Sequence, residues 1–459
     1  MLSQRNIEKW NLGYALLKPY IKLTFRLYFR NIYIRDKQNI PKDAPVIFAP
    51  NHQNALMDAL AVLYAIRDQP VFLARADIFR NKRLARVLSF LKLMPVYRIR
   101  DGYNSLQDNN NEVVNKVSEV LSAKRYLVIF PEGNHGKQRK LRPLKKGICR
   151  MALQAEARKN FRLGIYVVPV GLDYENYYKF HKSLLIRFGK PISIEAYKEE
   201  YHANPSRAYN LLKNDISLGL KEVMLHVNTR EYYALVNNLR EIYRDRLKKK
   251  MGIQDSNHPV NHKADRQLAS ICHRHIQHKP EETEELQKKV RNLRKHLHKL
   301  NLQPWLFKRE KHPIGVLLAT FPLFMLFLPV FLYGLLNNAF PFFFPGLANK
   351  NVKDPQFYSS IRYGGALVLF PLFYLIQLII FSQLADEWWL RLSYLLSLPI
   401  TGYAAYQYYR IIKKTWAKLR YNWFRKKHPH RFDQLHRLRE EIIRAVDRWV
   451  ETSATPASE

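Results

Sequence analysis

Two stretches of the chain carry residue types that can move a proton and hold an anion. The first is Val46-Ile-Phe-Ala-Pro-Asn51-His52-Gln-Asn-Ala-Leu-Met-Asp58, an apolar run that stops at a histidine, with a carboxylate six positions further on. A histidine that takes a proton from a hydroxyl at neutral pH needs a partner that fixes its tautomer and stabilises the imidazolium, and an aspartate does both. Positions i and i+6 fall on different faces of one helix, so His52 and Asp58 can meet only where the chain turns between them. The second stretch is Tyr126-Leu-Val-Ile-Phe130, followed by Pro131-Glu132-Gly133-Asn134-His135 and a basic segment with Arg139, Lys140, Arg142, Lys145 and Lys146. Alone, a His-x5-Asp spacing is ordinary in a chain of this size, and a surface histidine beside a helix-start aspartate reads the same way.

The elements that must position these groups follow from the local pattern. The run from Val46, closed by Pro50 and Asn51, reads as a buried strand that delivers His52 at its carboxyl end, where open α/β sheets place their ligands. Asn54 is placed to cap a helix starting at Ala55. From residue 36 to 200 strand-like and helix-like runs alternate, among them Val71 to Ala74, Glu112 to Leu121, Gly147 to Ala157 and Tyr166 to Val170. The alternation predicts an α/β domain with a largely parallel sheet flanked by helices. Leu184 to Pro191 reads as an edge strand closed by its proline.

Taken in order, four blocks resemble the glycerolipid acyltransferase family, the glycerol-3-phosphate and 1-acylglycerol-3-phosphate O-acyltransferases. Asn51, His52 and Asp58 match its first block, Met94-Pro-Val-Tyr-Arg98 its second, Phe130 to Gly133 its third and Val167 to Gly171 its fourth, over roughly residues 36 to 195. Two departures stand out. Five residues rather than four separate His52 from Asp58, as in a longer-spaced branch of the family, and Asn134 and His135 replace the usual residues after Phe-Pro-Glu-Gly. The resemblance implies transfer of a fatty acyl group from a coenzyme A or acyl carrier protein thioester to a hydroxyl of a glycerol phosphate. His52 is then the general base and Asp58 its orienting partner, with no metal, no cofactor and no protein nucleophile. Asn51, Arg98, Glu132, Gly133 and Lys145 are the expected substrate-binding residues, with Arg139, Arg142 and Lys146 as substitute phosphate cations. Three alternatives stay open. Arg98 can pair with Asp101, Glu132 can serve either an acceptor hydroxyl or the backbone of the Gly133 turn, and Gly133 can be a simple turn glycine.

The 459 residues carry a formal net charge of +38 with 47% hydrophobic content. Such a charge calls for an acidic partner, and the long uncharged stretches make that partner anionic membrane lipid rather than nucleic acid. Two cysteines, Cys149 and Cys272, give no disulfide framework and fit a reducing compartment. Residues 1–35 interleave aromatic and basic side chains and read as an amphipathic helix on a membrane surface, or as a helix packed on its own domain. Residues 36–200 form the expected catalytic domain, and 201–312 a charged helical region with a histidine-rich linker near 251–280. Leu286, Val290, Leu293, Leu297 and Leu300 form an apolar stripe within that region that suits a coiled-coil-like partner or, with only two heptads, an intramolecular helical hairpin.

Residues 313–409 hold three uncharged runs, one between His312 and Lys350, one from Tyr363 to Ala385 and one from Leu392 to Tyr409, each enough for a crossing at roughly 20 residues. The basic tail, 410–459, and the basic catalytic domain are both expected on the cytoplasmic face of an integral membrane protein. The first run is long enough for one tilted helix plus an apolar loop or for two short helices turned near Tyr333-Gly334, and the even number of crossings that this placement requires favours the second. A competing reading is a membrane-anchored tethering protein with an inactive acyltransferase-like domain.

Overall fold

The computed structural model describes residues 6–97, 106–308, 312, 313, 315 and 320–454. The chain divides into two compact units, Met1–His226 with Asp354–Ser360, and Val227–Lys353 with Ile361–Glu459.

The first unit opens with helix α1 (Leu12–Tyr28), capped by the Asn11 side chain, which accepts from the Tyr14 N–H. Strands and helices then alternate: β1 (Asn31–Arg35), β2 (Val46–Pro50), α2 (Ala55–Ala65), β3 (Val71–Arg75), α3 (Lys82–Phe90), β4 (Leu93–Val96), α4 (Leu106–Ser122), β5 (Leu127–Val128), α5 (Gly147–Ala157), β6 (Tyr166–Tyr174), β7 (Ser183–Phe188), β8 (Ile192–Ser193), α6 (Lys198–Ala203) and α7 (Pro205–Val223). The strands form one sheet in the order β1-β7-β6-β2-β5-β3-β4, with β8 paired to β6. Only β6–β7 and β6–β8 are antiparallel, so the sheet is mixed and largely parallel. Every residue of β2 is buried, as expected of a central parallel strand covered on both faces.

Two expectations change at the sheet's edge. Residues 31–35 are not part of the first helix but form β1, which pairs in parallel with β7 and takes the edge position. The strand at 183–188 therefore lies inside the sheet, between β1 and β6. Helix α1 packs Tyr14, Lys18, Phe25 and Tyr28 inward. Lys18 Nζ donates to the Ile66 and Arg67 carbonyls at 3.1 and 3.0 Å, and to that of Asp68, capping the carboxyl end of α2. Its opposite face leaves Leu12, Leu16, Tyr20, Leu23 and Leu27 exposed, so the helix is apolar on two sides.

In the second unit, helices Tyr233–Lys250, His258–His278, Pro280–Lys299 and Pro429–Ala454 pack on one another. The histidine-rich segment is not a linker: Asn257 caps a 21-residue helix whose His258 and His262 are buried. The loss of apolar periodicity there reflects polar groups taken into the interior, where Asp265 pairs with Arg240 and Arg244 at 2.7 and 2.6 Å. Of the expected stripe, Leu286, Val290, Leu293 and Leu297 are buried, while Leu300 lies at the helix's carboxyl cap and is half-buried.

Two helical stretches, Phe321–Asn351 and Pro355–Ser382, are long and apolar enough to cross a membrane. The first is one helix through Leu347 with no turn at Tyr333-Gly334, because Gly334 serves a helix contact instead. A Cβ there would stand 2.2 Å from the Thr401 carbonyl oxygen, so the small residue lets two backbones approach. Residues 392–409 are the first half of a 40-residue helix, Trp388–Lys427, that runs unbroken into the basic segment.

Candidate active site

The sheet brings the carboxyl ends of β2, β5 and β3 side by side, and the residues that follow them meet there. His52 leaves β2 two residues after its last position, and the chain then turns through Ala55, whose φ of +43° is one that an L residue rarely adopts. That turn lets positions 52 and 58 face one another. His52 Nδ1 lies 2.9 Å from Asp58 Oδ2, with the aspartate fully buried. The same oxygen accepts the backbone N–H groups of Gln53 and Asn54 at 2.7 and 2.6 Å, and Oδ1 accepts the Tyr174 hydroxyl at 2.8 Å. Asp58, rather than the Asn54 side chain, thus satisfies the loop at the head of α2, and Asn54 makes no side-chain cap bond. With Nδ1 held by the carboxylate, Nε2 is the nitrogen left for chemistry.

The third block frames the histidine ring. Phe130 stacks on the imidazole at 4.1 Å and His135 stands edge-on to it at 5.4 Å. Glu132 is buried and spans two loops: Oε1 accepts the His52 N–H at 2.8 Å and Oε2 the Arg142 N–H at 3.2 Å. Burial pushes its carboxyl up to about 7 against the opposing pull of those two bonds. Gly133 sits at φ +67° and its N–H bonds to the Phe130 carbonyl, so the glycine closes a turn that a side chain would strain. Lys145 donates its backbone N–H to the Pro131 carbonyl at 2.8 Å, and its side chain passes over Gly133. Its ammonium makes no ion pair among the described residues.

Three of the other expected ligands are engaged by groups of the protein. Both groups of the Asn51 amide bind the Leu172 backbone, at 3.2 and 2.6 Å, tying the end of β2 to β6. Arg139 is buried in a 2.6 Å ion pair with Asp173 and also donates to the Tyr174 carbonyl, so it is a strut rather than a free phosphate cation. Arg142 donates to the His135 carbonyl at 2.9 Å. Arg98 lies outside the described residues. Sequence reasoning passed over Arg75, which ends β3 on the same edge of the sheet and pairs with Asp77. The signal was present, since Val71 to Ala74 is an apolar run stopped by a polar residue, as β2 is by His52. Tyr174 was also missed, because its contact with Asp58 spans 116 residues.

A fixed imidazole on a buried carboxylate, beside basic side chains at the open edge of a parallel sheet, suits proton removal from a hydroxyl next to an anionic group. Residues 31–173 match the model of the Acyltransferase family. Glycerol-3-phosphate O-acyltransferase 1 of Saccharomyces cerevisiae is 30% identical over 142 residues, which are 30% of this chain and 19% of the yeast protein. The 1-acyl-sn-glycerol-3-phosphate acyltransferase of Borreliella burgdorferi is 28% identical over 186 residues, 40% of this chain and 68% of that one. The solved 1-acyl-sn-glycerophosphate acyltransferase of Thermotoga maritima shares 19% identity, covering 44% of this chain and 79% of its own, at a TM-score of 0.31. The match thus spans about a fifth of the yeast relatives' length, 19% and 18%.

Proposed function

We propose that this protein is a membrane-associated O-acyltransferase that moves a fatty acyl group from a thioester to a hydroxyl of a glycerol phosphate, either glycerol 3-phosphate or its 1-acyl derivative. The observation that carries the reading is the 2.9 Å bond from His52 Nδ1 to the buried Asp58, which leaves Nε2 as the base. The acceptor hydroxyl gives its proton to Nε2 as its oxygen adds to the thioester carbonyl. The tetrahedral intermediate then expels the thiolate, which takes the proton back from the imidazolium. Asp58 stabilises that imidazolium while it exists. We assign the acceptor phosphate to Lys145 and to Arg75, which would bring or give up its Asp77 pairing, with Arg98 a third candidate from the sequence. Glu132 and Asn51 serve as scaffold for the His52 loop.

The acyl donor, a coenzyme A or acyl carrier protein thioester, is a substrate, and the chemistry needs no metal or cofactor. Anionic membrane lipid is the proposed partner of the basic, apolar-rich surface. An acyl product partitions into a bilayer at about 0.8 kcal/mol per methylene, so an acyltransferase gains from working at that surface. The test is acyl transfer by membranes containing the full chain, with labelled acyl-coenzyme A or acyl carrier protein and each acceptor offered separately, beside His52→Ala. Transfer to one acceptor that disappears in the variant supports the reading and names the substrate. No transfer from either donor by folded protein refutes it and leaves the tethering alternative.

A further inference from the structure

His135 is the second imidazole of the site and has no part in the mechanism so far. Its loop is held on several sides. The following residue, Gly136, donates its N–H to the His52 carbonyl at 3.0 Å, and the His135 carbonyl accepts from Arg142 at 2.9 Å. The neighbouring Lys137 pairs with Asp354 at 3.0 Å, and the His135 ring meets the Phe357 ring edge-on at 4.7 Å. Ser359 fixes the far end of that 354–360 segment by donating to the Tyr177 carbonyl. The imidazole is therefore fixed perpendicular to His52, with centroids 5.4 Å apart. It is half-buried, and among the described residues no hydrogen bond engages its ring nitrogens.

We infer that His135 is a second catalytic residue, whose ring N–H donates to the oxyanion formed as the acceptor oxygen adds to the thioester carbonyl. The inference rests on the acyl-transfer reading above. An acceptor oxygen held at about 2.8 Å from His52 Nε2 attacks a carbonyl carbon about 3 Å further on. The developing oxyanion then falls in the space beside the neighbouring ring. As the C–O bond forms and the hydroxyl proton passes to His52, the carbonyl π pair moves onto that oxygen. Collapse returns the pair to the carbonyl and expels the thiolate, while His135 keeps its own proton throughout. Burial, reinforced by the adjacent His52, lowers the His135 pKa below its ordinary value. At neutral pH it is thus an uncharged donor that does not repel the His52 imidazolium. A donor preorganised in a partly dry site acts on the transition state more than on the bound substrate.

The experiment compares His135→Gln and His135→Met in the full chain, with the thioester and acceptor that the parent uses. The two side chains have similar size and flexibility, and only glutamine keeps an N–H. The expected result is a methionine variant down about 100-fold in kcat with both KM values nearly unchanged, and a glutamine variant at least about tenfold faster than it. Equal kcat for the two variants, at melting temperatures matching one another, overturns the assignment, as does a methionine variant within about threefold of the parent. An inactive parent with both donor types refutes the acyl-transfer reading and this inference together. An active parent with indifferent variants refutes this inference alone.

Discussion

Asp58→Asn is the perturbation that isolates the charge of the dyad from its geometry. The fully buried carboxylate accepts three N–H groups on Oδ2 and one O–H on Oδ1. An asparagine can place its carbonyl oxygen where Oδ2 stands, keep the His52, Gln53 and Asn54 bonds, and turn its NH2 toward Tyr174, whose hydroxyl then accepts. The loop and the His52 tautomer survive, while the negative charge 2.9 Å from Nδ1 is lost. With charge centres about 4 Å apart and an effective dielectric constant of about 20, that charge stabilises the imidazolium by about 4 kcal/mol. A drop of about 10³-fold in kcat follows. The assay is single-turnover acyl transfer with the parent's substrates, alongside a thermal melt expected to stay within a few degrees of the parent. A folded Asp58→Asn protein within about tenfold of the parent, beside an inactive His52→Ala protein, would refute the claim that the carboxylate stabilises the transition state.

Two further outcomes separate scaffold from substrate contact. Asn51→Ala removes both side-chain bonds to Leu172 and should destabilise the fold by about 2 kcal/mol, read by denaturant unfolding, while the acceptor KM of the folded fraction stays within about twofold. A tenfold rise in that KM with unchanged stability would return Asn51 to the substrate. Glu132 gives a pH dependence: its folded pKa is raised from 4.5 to about 7, so between those values the native state holds a proton that the unfolded state has released. Stability is then fully present below the unfolded pKa and falls by about 3 kcal/mol as pH rises through that window, at 1.36 kcal/mol per unit. Unfolding free energies measured from pH 4.5 to 7.5 should show this decline in the parent and a flatter line in Glu132→Gln.

Local pattern was enough for the parts of the molecule whose causes are local. An apolar run ended by a polar residue marked β2 and the loop carrying His52, and the phase of Leu286, Val290, Leu293 and Leu297 marked a buried helix face. The alternation of runs gave the class of sheet, because parallel strands must be apolar on both faces and separated by covering helices. Pattern could not show that residues 31–35 leave the first helix to form the sheet's edge, since four half-buried residues and an exposed Arg35 carry little periodicity. Nor could it show the helix at His258–His278, whose buried Asp265 is held by ion pairs with Arg240 and Arg244 of a neighbouring helix.

The same division runs through the site. The sequence by itself determined which side chains were available: an imidazole and a carboxylate six positions apart, a glycine where the third block turns, and cations beyond it. Tertiary structure decided what each does. It turned the chain at Ala55 so that His52 meets Asp58, and drew the Tyr174 hydroxyl across 116 positions to the same carboxylate. It also tied Asn51, Glu132 and Arg139 into the scaffold and left Lys145 without an ion pair among the described residues. The reason is that a residue's type fixes which protons and charges it can offer, whereas its partners are set by which strands become neighbours. Strand adjacency depends on non-local pairing that no short window of sequence contains.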